Sequence, residues 1–363
     1  LSIYQDRENS VWVGTNGGLF RLREAPFVTY TAQRGLAGDY VRAVLGHSDG
    51  SIWVGSSLGL NRINGQNIAQ LDLSAYSRGQ SVLSLSEASD GSVWIGTYTD
   101  GALLWRDGKV ERQLNRDNGL LTNEVRAVLP VADGVWVGTA QGLNHVTATG
   151  VTAYGTEHGL PAPFIMSLHL HTDGRLFIGT GGGVAIRQTD GSITALDFKS
   201  LDGVEYAFGF TTDPLLNLLW MATDRGLVAY DLANGHMTML GRNVGLPFDK
   251  LFQVVADNKH HLWVSSNRGV LRLQRQNLTA VLNGIQPELH YELFGESDGM
   301  QSAQANGGSM SAAALAQDGT VWVATSKGVS WVQPSVLQRF ASNIPPVVIE
   351  GLRVNGAITA LRQ

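Results

Sequence analysis

The chain of 363 residues lacks cysteine and has few charged side chains of either sign. Without cysteine there is no disulfide framework, no thiol nucleophile and no cysteine-ligated zinc site. Charged residues make up 16% of the chain, the net charge is −5, and lysine and arginine form no run. This pattern argues against a general nucleic-acid binder, because neutralising phosphates requires a clustered basic surface.

Long apolar runs are also missing. No stretch of 18 apolar residues occurs, so the sequence shows neither a membrane span nor a signal peptide. Because Leu1 already stands in a strand-like run, we expect the sequence to be part of a longer chain. The hydrophobic content of 43% is that of an ordered globular protein.

One sequence pattern is abundant, and residues 49–63 show its form. An Asp-Gly turn precedes an apolar run around Trp53, a Gly-Ser pair follows, and a Gly-Leu pair opens a second apolar run. Asp-Gly and the later glycine supply the backbone angles of tight turns, while Ile, Trp and Val favour strands, so the pattern predicts a β-hairpin. The central aromatic recurs as Trp12, Trp53, Trp94, Trp136, Phe177, Trp220, Trp263 and Trp322.

The spacing of this pattern predicts the fold. Successive aromatics lie 41 to 43 residues apart, except for 59 residues before Trp322. Each unit has two further strand-like runs, such as 41–45 and 67–71, and four strands in about 42 residues are typical of a propeller blade. We therefore predict an all-β fold, a single β-propeller of four-stranded blades, eight by motif count. The alternative is seven blades, with the first motif belonging to an upstream ring.

The repeat ends before the C terminus. We predict a propeller over 1–340, and a linker with the first strand of another β-domain over 341–363. The grounds are the pair Pro345-Pro346, an alternating strand, and an Asn355-Gly356 turn. The extra residues before Trp322 are assigned to 283–308, as a long surface loop.

These motifs resemble a known family. The unit Asp-Gly-x-Val-Trp-Val-Gly-Thr-x-x-Gly-Leu, with its Gly-Leu connectors, resembles the two-component-regulator propeller repeat. The closing Pro-Pro-Val-Val-Ile-x-Gly-Leu-x-Val-Asn-Gly resembles the start of the three-tyrosine immunoglobulin-like domain, which would be truncated here. The resemblance implies the periplasmic sensor region of an inner-membrane receptor whose output is a histidine kinase, sometimes a hybrid, or a diguanylate cyclase. Rings in this family usually have seven blades, and well-studied relatives sense oligosaccharides.

Candidate binding residues are expected where the copies of the repeat differ. The in-register tryptophans are predicted to be core, whereas connectors just before the inner strands place aromatic rings beside charged groups. Such groups suit a polar or anionic sugar, which stacks on rings and accepts hydrogen bonds, although arginine and lysine at channel mouths are often only solvated. The predicted ligand residues are Tyr40, Arg42, Glu124, Arg126, Phe164, Lys250, Phe252 and, outside the register, Trp105.

The sequence thus favours a non-catalytic, extracytoplasmic ligand-sensing domain of a transmembrane signalling receptor. The expected partners are an oligosaccharide or other small polar ligand, the rest of the receptor, and a second receptor copy in a homodimer, but no nucleic acid. No catalytic residue, metal or cofactor is expected, since His169 and His171 share a strand face without a third ligand. The alternatives are a propeller enzyme, such as a lyase or glycosidase, and a protein-binding scaffold.

Overall fold

The computed structural model describes residues 1–6, 10–201, 203–257, 259–341, 352–354 and 357–359. The chain divides into two compact units, one comprising Phe27–Pro334 and the other comprising Leu1–Pro26 with Ser335–Gln363. The larger unit holds seven antiparallel sheets of four strands each. These sheets are the blades of a β-propeller.

The blades are numbered in chain order, and their strands run from the inner to the outer edge. Blade 1 has Val41–Gly46, Ile52–Ser56, Gly59–Asn64 and Asn67–Leu71; blade 2 has Val82–Glu87, Val93–Thr97, Ala102–Arg106 and Lys109–Leu114; blade 3 has Val125–Val131, Gly134–Thr139, Gly142–Thr147 and Val151–Tyr154. Blade 4 has Ile165–Leu170, Leu176–Thr180, Gly183–Arg187 and Ile193–Ala195; blade 5 has Ala207–Asp213, Leu218–Thr223, Leu227–Asp231 and Met237–Leu240. Blade 6 has Leu251–Ala256, His261–Ser266, Gly269–Gln274 and Tyr291–Phe294; blade 7 has Ala313–Leu315, Val321–Thr325, Gly328–Val332 and Phe27–Tyr30.

The outer strand of blade 7 closes the ring. Phe27–Tyr30, from the beginning of the unit, pairs with Gly328–Val332 from its end, and the Thr29 and Ser330 hydroxyls lie 2.8 Å apart. The inner strand of blade 7 also contacts that of blade 1. The predicted propeller of four-stranded blades is confirmed. Because the strand after the first motif joins blade 7, the pairing corresponds to the seven-blade alternative, and the first motif forms a separate three-stranded sheet.

The repeated Asp-Gly turn satisfies the indole of the central tryptophan. In blade 1 the Ser51 amide donates to the Asp49 carboxylate at 2.8 Å, and Trp53 Nε1 donates to the Ser51 hydroxyl at 3.2 Å. In blade 7, Trp322 Nε1 donates to Thr320 in the same way, at 2.8 Å. In blades 5 and 6 the indoles of Trp220 and Trp263 donate instead to the Asp213 and Asp257 carboxylates, so the buried indole N–H has a partner by either route.

The small residue after the central strand run allows neighbouring blades to approach closely. A side chain at Gly55 would collide with Val82, the first inner-strand residue of blade 2. At the next position Thr139 of blade 3 donates its hydroxyl to the Gly142 carbonyl at 2.8 Å, which closes the hairpin turn. Every element of the repeat therefore has a structural role.

The Gly-Leu connectors are short 3₁₀ turns that end in glycine. Gly35 and Gly119 close two of them in the left-handed region, with φ of 107° and 112°. The next residues, Leu36 and Leu120, are buried and anchor the connector. The turns of this kind are Ala32–Arg34, Arg116–Asn118, Thr156–His158, Arg242–Val244 and Glu296–Asp298; the described 3₁₀ turns Phe198–Ser200 and Pro334–Val336 are followed by leucine instead.

The extra residues before Trp322 lie in two places, so the single surface loop predicted over 283–308 is wrong in part. The third and outer strands of blade 6 are separated by residues 275–290, which begin with helix α1, Arg275–Leu282. This helix buries Leu278 and Val281 against the blade because its apolar positions lie three residues apart. The predicted loop itself contains the outer strand Tyr291–Phe294. The remaining extra residues interrupt the inner strand of blade 7.

The smaller unit contains a three-stranded sheet of Ser2–Gln5, Val11–Thr15 and Gly18–Leu22, and helix α2, Leu337–Ala341. It also contains a two-stranded antiparallel sheet of Leu352–Val354 and Ala357–Thr359. This pairing agrees with the predicted hairpin, whereas Asn355-Gly356 and residues 342–351 lie outside the described residues. The division at residue 340 and the immunoglobulin-like identity stay predictions. In the described part of the chain, no helix has the length and apolarity to cross a membrane.

Candidate ligand site at the channel mouth

One inner-strand residue of each of blades 1 to 6 has no partner in the neighbouring strand. The register shifts between Val41 and Ala43 in blade 1, and the same shift recurs in the next five blades. Such β-bulges redirect a side chain, and the innermost strands line the channel of a propeller. We call these unpaired positions the bulge residues; they are Arg42, Leu83, Arg126, Met166, Phe208 and Phe252.

In blade 7 this position is extended into a loop, which we call the channel loop, residues 307–311. The Asn306 amide donates to the Ala324 carbonyl at 3.0 Å, and the Ala324 amide donates to the Ala312 carbonyl at 2.8 Å. Both ends of the loop therefore pair with the same residue of the neighbouring strand. The five residues between them leave the sheet.

The channel loop crosses the centre of the ring. The Met310 amide donates to the Arg126 carbonyl of blade 3 at 2.9 Å, and the Met310 carbonyl accepts from Leu85 of blade 2 at 3.2 Å. The Ser311 carbonyl accepts from Val44 of blade 1 at 2.9 Å. Because these partners belong to inner strands of three blades, the loop lies in the channel that these strands line.

We call the end of the channel formed by the bulge residues and the connector residues just before them the mouth. Arg126 is the most constrained charged group there. Its Nε donates to Glu124 Oε1 at 2.6 Å, and its Nη1 donates to the Gly308 carbonyl of the channel loop at 3.0 Å. Its guanidinium also lies 4.7 Å from the centre of the Phe164 ring, a cation–π distance. The pair is largely buried, with 17% of the Arg126 side chain exposed. This arrangement fixes a cation between a carboxylate, an aromatic face and a backbone carbonyl.

Aromatic rings dominate the opposite side of the mouth. The Phe208 and Phe252 rings pack edge to face at 5.5 Å, and Lys250 Nζ lies 5.6 Å and 5.8 Å from their centres. Tyr206 adds a third ring, 5.8 Å from Phe208. A side chain at Gly307 would collide with the Phe252 ring, so the channel loop lies flat against this aromatic surface.

Arg42 is the least satisfied cation of the mouth. Its guanidinium lies 4.8 Å from the centre of the Tyr40 ring, and its Nε is buried without a hydrogen-bond partner among the described residues. The neighbouring carbonyl of Val41 accepts from the Asn306 side chain. A buried N–H without an acceptor costs free energy, and a bound acceptor would recover it.

The described side chains at the mouth carry charges of both signs. The cations are Arg42, Arg126 and Lys250, Glu124 pairs with Arg126, and the amides of Glu205 and Tyr206 donate to the Asp224 carboxylate at 3.0 Å. Each of the three cations lies over an aromatic ring. The geometry therefore suits an anionic group that also presents a face to aromatic rings.

The structure brings together seven of the eight predicted site residues. Tyr40, Arg42, Glu124, Arg126, Phe164, Lys250 and Phe252 all lie at the first residues of inner strands or just before them. Trp105 does not join them, because it lies in the third strand of blade 2. It contacts Trp53 at 6.3 Å and lines a separate cleft of about 480 Å³ with Tyr76, Asp72 and Lys109. The assignment of all eight residues to ligand binding stays a prediction.

Sequence reasoning missed Phe208 and the channel loop. Phe208 could have been found by aligning 207–210 with 41–44, since both segments place the bulge residue second. The loop had a weaker signal, namely Asn-Gly-Gly-Ser inserted between Ala305 and the small inner-strand residues that follow. Its course across the channel depends on contacts with three other blades, which no local pattern encodes.

The two strand histidines of blade 4 form no metal site. His169 Nε2 lies 2.6 Å from the Thr212 hydroxyl, and burial, followed by the charge of His171, lowers the pKa of His169 to about 4. Among the residues that the structure describes, no group of three or more His, Cys, Asp or Glu is arranged to hold a metal ion. His169 therefore joins blade 4 to blade 5, whereas His171 follows the strand and lies near Asp173 of its own blade.

The model of the family described as "Two component regulator propeller" matches residues 1–17 and 77–99. A comparison with curated protein sequences finds no match. Among solved structures, the extracellular domain of the hybrid two-component system BT3049 from B. thetaiotaomicron superposes with a TM-score of 0.80 at 24% identity, covering 100% of this chain and 48% of that one. The chain thus spans about half the length of this neighbour.

Two further structures share the fold. The extracellular domain of BT4673 from B. thetaiotaomicron gives a TM-score of 0.69 at 18% identity, covering 85% of this chain and 40% of that one. Virginiamycin B lyase from Staphylococcus aureus, solved with quinupristin, gives 0.66 at 14% identity, covering 85% and 99%. The family model thus matches two segments of the repeat, and the predicted resemblance to the two-component-regulator propeller repeat is confirmed. The resemblance of the C-terminal residues to an immunoglobulin-like domain stays a prediction.

Proposed function

We propose that this chain is the ligand-sensing part of an extracytoplasmic receptor region, and that its ligand binds at the channel mouth. The ligand is a small polar molecule with an anionic group, such as an acidic oligosaccharide. The observation that carries the proposal is that Arg42, Arg126 and Lys250, at or just before the start of inner strands, each lie over an aromatic ring.

The chemistry of the mouth supports this ligand class. A carboxylate or sulfate forms strong, charge-assisted hydrogen bonds with guanidinium groups, and the Arg42 Nε has no acceptor in the described structure. A sugar ring offers C–H faces that pack on Phe252 and Phe208, while its hydroxyls find polar groups at the rim. Because the channel loop bonds to inner strands of three blades, a ligand at the mouth would rest against it.

Sensing requires that the ligand prefer one of two receptor states. A ligand at the mouth contacts inner strands of several blades at once, and a second domain or second receptor copy next to this face would respond to its presence. The periplasmic location, the receptor homodimer and the kinase or cyclase output belong to this proposal. They are supported by the neighbours, which are extracellular domains of two-component regulators.

A propeller enzyme is the alternative function, because virginiamycin B lyase shares the fold. An elimination or hydrolysis would need a free acid or base near the ligand. Of the carboxylates near the mouth, Glu124 is held by Arg126 at 2.6 Å, and Asp224 accepts from the Glu205 and Tyr206 amides at 3.0 Å. His169, with a pKa of about 4, is a weak base at neutral pH and is bonded to Thr212. These contacts favour binding without turnover.

The proposal is tested by titration calorimetry of the purified chain with matched sugars. Digalacturonate supplies carboxylates, galactose 6-sulfate supplies a sulfate, and galactobiose is the neutral control. We expect binding of an acidic sugar that weakens as salt is raised, and at least tenfold weaker binding of galactobiose. Equal affinity for galactobiose and digalacturonate, or binding of neither acidic sugar, would contradict the anionic ligand class. Consumption of the sugar during titration would establish the enzyme instead.

A further inference from the structure

The channel loop occupies a position that the proposed ligand would also need. Arg126 has two strong donors engaged: Nε with the Glu124 carboxylate and Nη1 with the Gly308 carbonyl. The Glu124 contact positions the guanidinium, whereas the Gly308 carbonyl is a neutral acceptor on the channel side. An anionic oxygen is a stronger acceptor for a guanidinium than an amide carbonyl is.

The loop has two parts that differ in how firmly they are held. Met310 and Ser311 form the anchor, with three backbone hydrogen bonds to Arg126, Leu85 and Val44 of three different blades. The tip, Gly307 and Gly308, contacts Phe252 and the Arg126 side chain. Two successive glycines give this tip wider backbone freedom than any other residue pair would.

We propose that the Gly307-Gly308 tip is a tethered occupant of the anion site, and that an anionic ligand takes its place on Arg126 and Phe252. The proposal rests on the proposed function and adds its regulation. In the free protein the Gly308 carbonyl accepts from Nη1 of Arg126, so this donor already has a partner. When the ligand binds, the tip swings away while the Met310-Ser311 anchor stays in the channel.

The replacement of the Gly308 carbonyl by the ligand on Arg126 determines both the affinity and the specificity of binding. A neutral sugar offers no acceptor strong enough to replace the Gly308 carbonyl, so it leaves the tip in place. An anionic sugar gains the charge-assisted bond to Arg126 and loses only the free energy of moving the tip. The measured association constant is therefore the intrinsic constant multiplied by the fraction of protein in which the tip has left Arg126.

A single backbone substitution tests this displacement. Gly308 has φ of +80° with open space around the position of an added Cβ, so Gly308→Ala causes no collision and disfavours only the closed tip. If the tip must leave, Gly308→Ala binds digalacturonate about fivefold more tightly than the wild type, in calorimetry at equal salt. If the tip is part of the binding surface, the same substitution leaves the affinity unchanged or weakens it, which overturns the proposal.

Blade 7 offers a matched control. Gly319 has the same φ of +80° and the same open surroundings, in a turn after the inner strand. Gly319→Ala imposes the same backbone strain, and we expect it to leave the affinity for digalacturonate unchanged. An equal gain in affinity from Gly319→Ala would show that the effect of Gly308→Ala is not local, and would also overturn the proposal.

Excision of the channel loop provides an independent test. Joining Asn306 to Ala312 is feasible because both already pair with Ala324, and it restores the strand geometry of the other blades. We expect the excised protein, with its fold checked by circular dichroism, to bind digalacturonate at least as tightly as Gly308→Ala does. Weaker binding than wild type would contradict displacement while leaving the mouth site intact. If the wild type, Gly308→Ala and the excised protein all fail to bind digalacturonate, both the proposed site at the mouth and the displacement of the tip are contradicted.

Discussion

The repeated hairpin and the bulge residues form the two contrasting regions of each blade. In the hairpin an aromatic residue recurs at one position, and where its indole is bonded the partner is a nearby polar side chain, Ser51 for Trp53, Thr320 for Trp322 and Asp257 for Trp263. At the bulge the backbone geometry is equally regular, but the side chain changes from arginine to leucine, methionine or phenylalanine. A position with constant geometry and varied chemistry is free to serve ligand recognition. The following predictions separate the two regions by their effects on stability and on affinity.

The largest effect on stability is expected from a hairpin tryptophan. Trp220 is fully buried, so Trp220→Ala removes a large ring and leaves a cavity between blades 5 and 6. We expect the free energy of unfolding to fall by about 3 to 5 kcal/mol. Chemical denaturation monitored by circular dichroism measures this loss.

Trp105→Ala is the matched control, because Trp105 is only half-buried. Its loss of stability should be smaller than that of Trp220→Ala by at least a factor of two. At a temperature where both proteins are folded, their affinities for an acidic sugar should equal that of the wild type. A large loss of affinity from Trp105→Ala would move the site to the cleft between blades 1 and 2.

Acid should weaken the fold through His169, a partly buried histidine of the inner strand of blade 4. Burial lowers the folded-state pKa of His169 from 6.5 to about 4, so the unfolded chain takes up the proton first as the pH falls. The stability contributed by the neutral histidine is complete above pH 6.5 and is lost progressively between pH 6.5 and about 4. The shift corresponds to about 3 kcal/mol.

His169→Gln should therefore reduce the pH dependence of unfolding within this window. Denaturation series at pH 7, 5.5 and 4 for the wild type and for the variant measure the difference. His236→Gln, in an exposed turn of blade 5, is the control that should retain the wild-type slope. Identical slopes for the wild type and His169→Gln would show that the histidine is not buried in its neutral form.

Substitution of Arg126 should affect binding more than folding. Arg126→Gln removes the guanidinium that contacts Glu124, Phe164 and Gly308, and with it the proposed partner of the anionic group. We expect at least tenfold weaker binding of digalacturonate, with a loss of stability of about 1 kcal/mol. Calorimetry and denaturation of the same preparation measure both quantities.

The chain offers a matched arginine for this experiment. Arg242 also donates its Nε to a carboxylate, Asp249, at 2.8 Å, but on an exposed connector. Arg242→Gln should leave the affinity unchanged and alter stability by less than about 0.5 kcal/mol. If Arg242→Gln and Arg126→Gln lower the affinity equally, the effect is one of general surface charge, and the mouth has no special role.

The smallest effect on stability is expected at Arg42. Because its Nε has no hydrogen-bond partner in the described structure, Arg42→Gln loses only the stacking on Tyr40. We expect a change in unfolding free energy within about 0.5 kcal/mol. The affinity for digalacturonate should nevertheless fall about threefold to tenfold, as measured by calorimetry. If Arg42→Gln strongly lowers the free energy of unfolding and leaves the affinity unchanged, then Arg42 stabilises the fold and does not bind the ligand.

The fold was largely predictable because its signals are local and repeated. The Asp49-Gly50-Ser51 turn, the Trp53 strand and the Gly59-Leu60 hairpin close within a few residues of each other. The number of blades was not predictable in this way. It depends on Phe27–Tyr30 pairing with Gly328–Val332, about 300 residues away, and the sequence of either strand fits several partners.

The candidate site was predictable only in outline. The connectors identified Arg126 and Phe252 because charged and aromatic residues are unusual just before inner strands. The contact that joins the two sides of the mouth is made by Gly307 and Gly308, and glycine carries no chemical signal of a binding site. Trp105 was selected because it lies outside the register of the repeat, and that criterion does not indicate where a third strand lies relative to the channel.

The most direct test of the central claim is a crystal structure of the chain with the acidic sugar that calorimetry shows to bind best. We predict density at the channel mouth, with the anionic group on the guanidinium of Arg126, a sugar face on Phe252, and the Gly308 carbonyl turned away. Density confined to the Trp105 cleft, or a sugar bound anywhere outside the ring of bulge residues, would contradict the account.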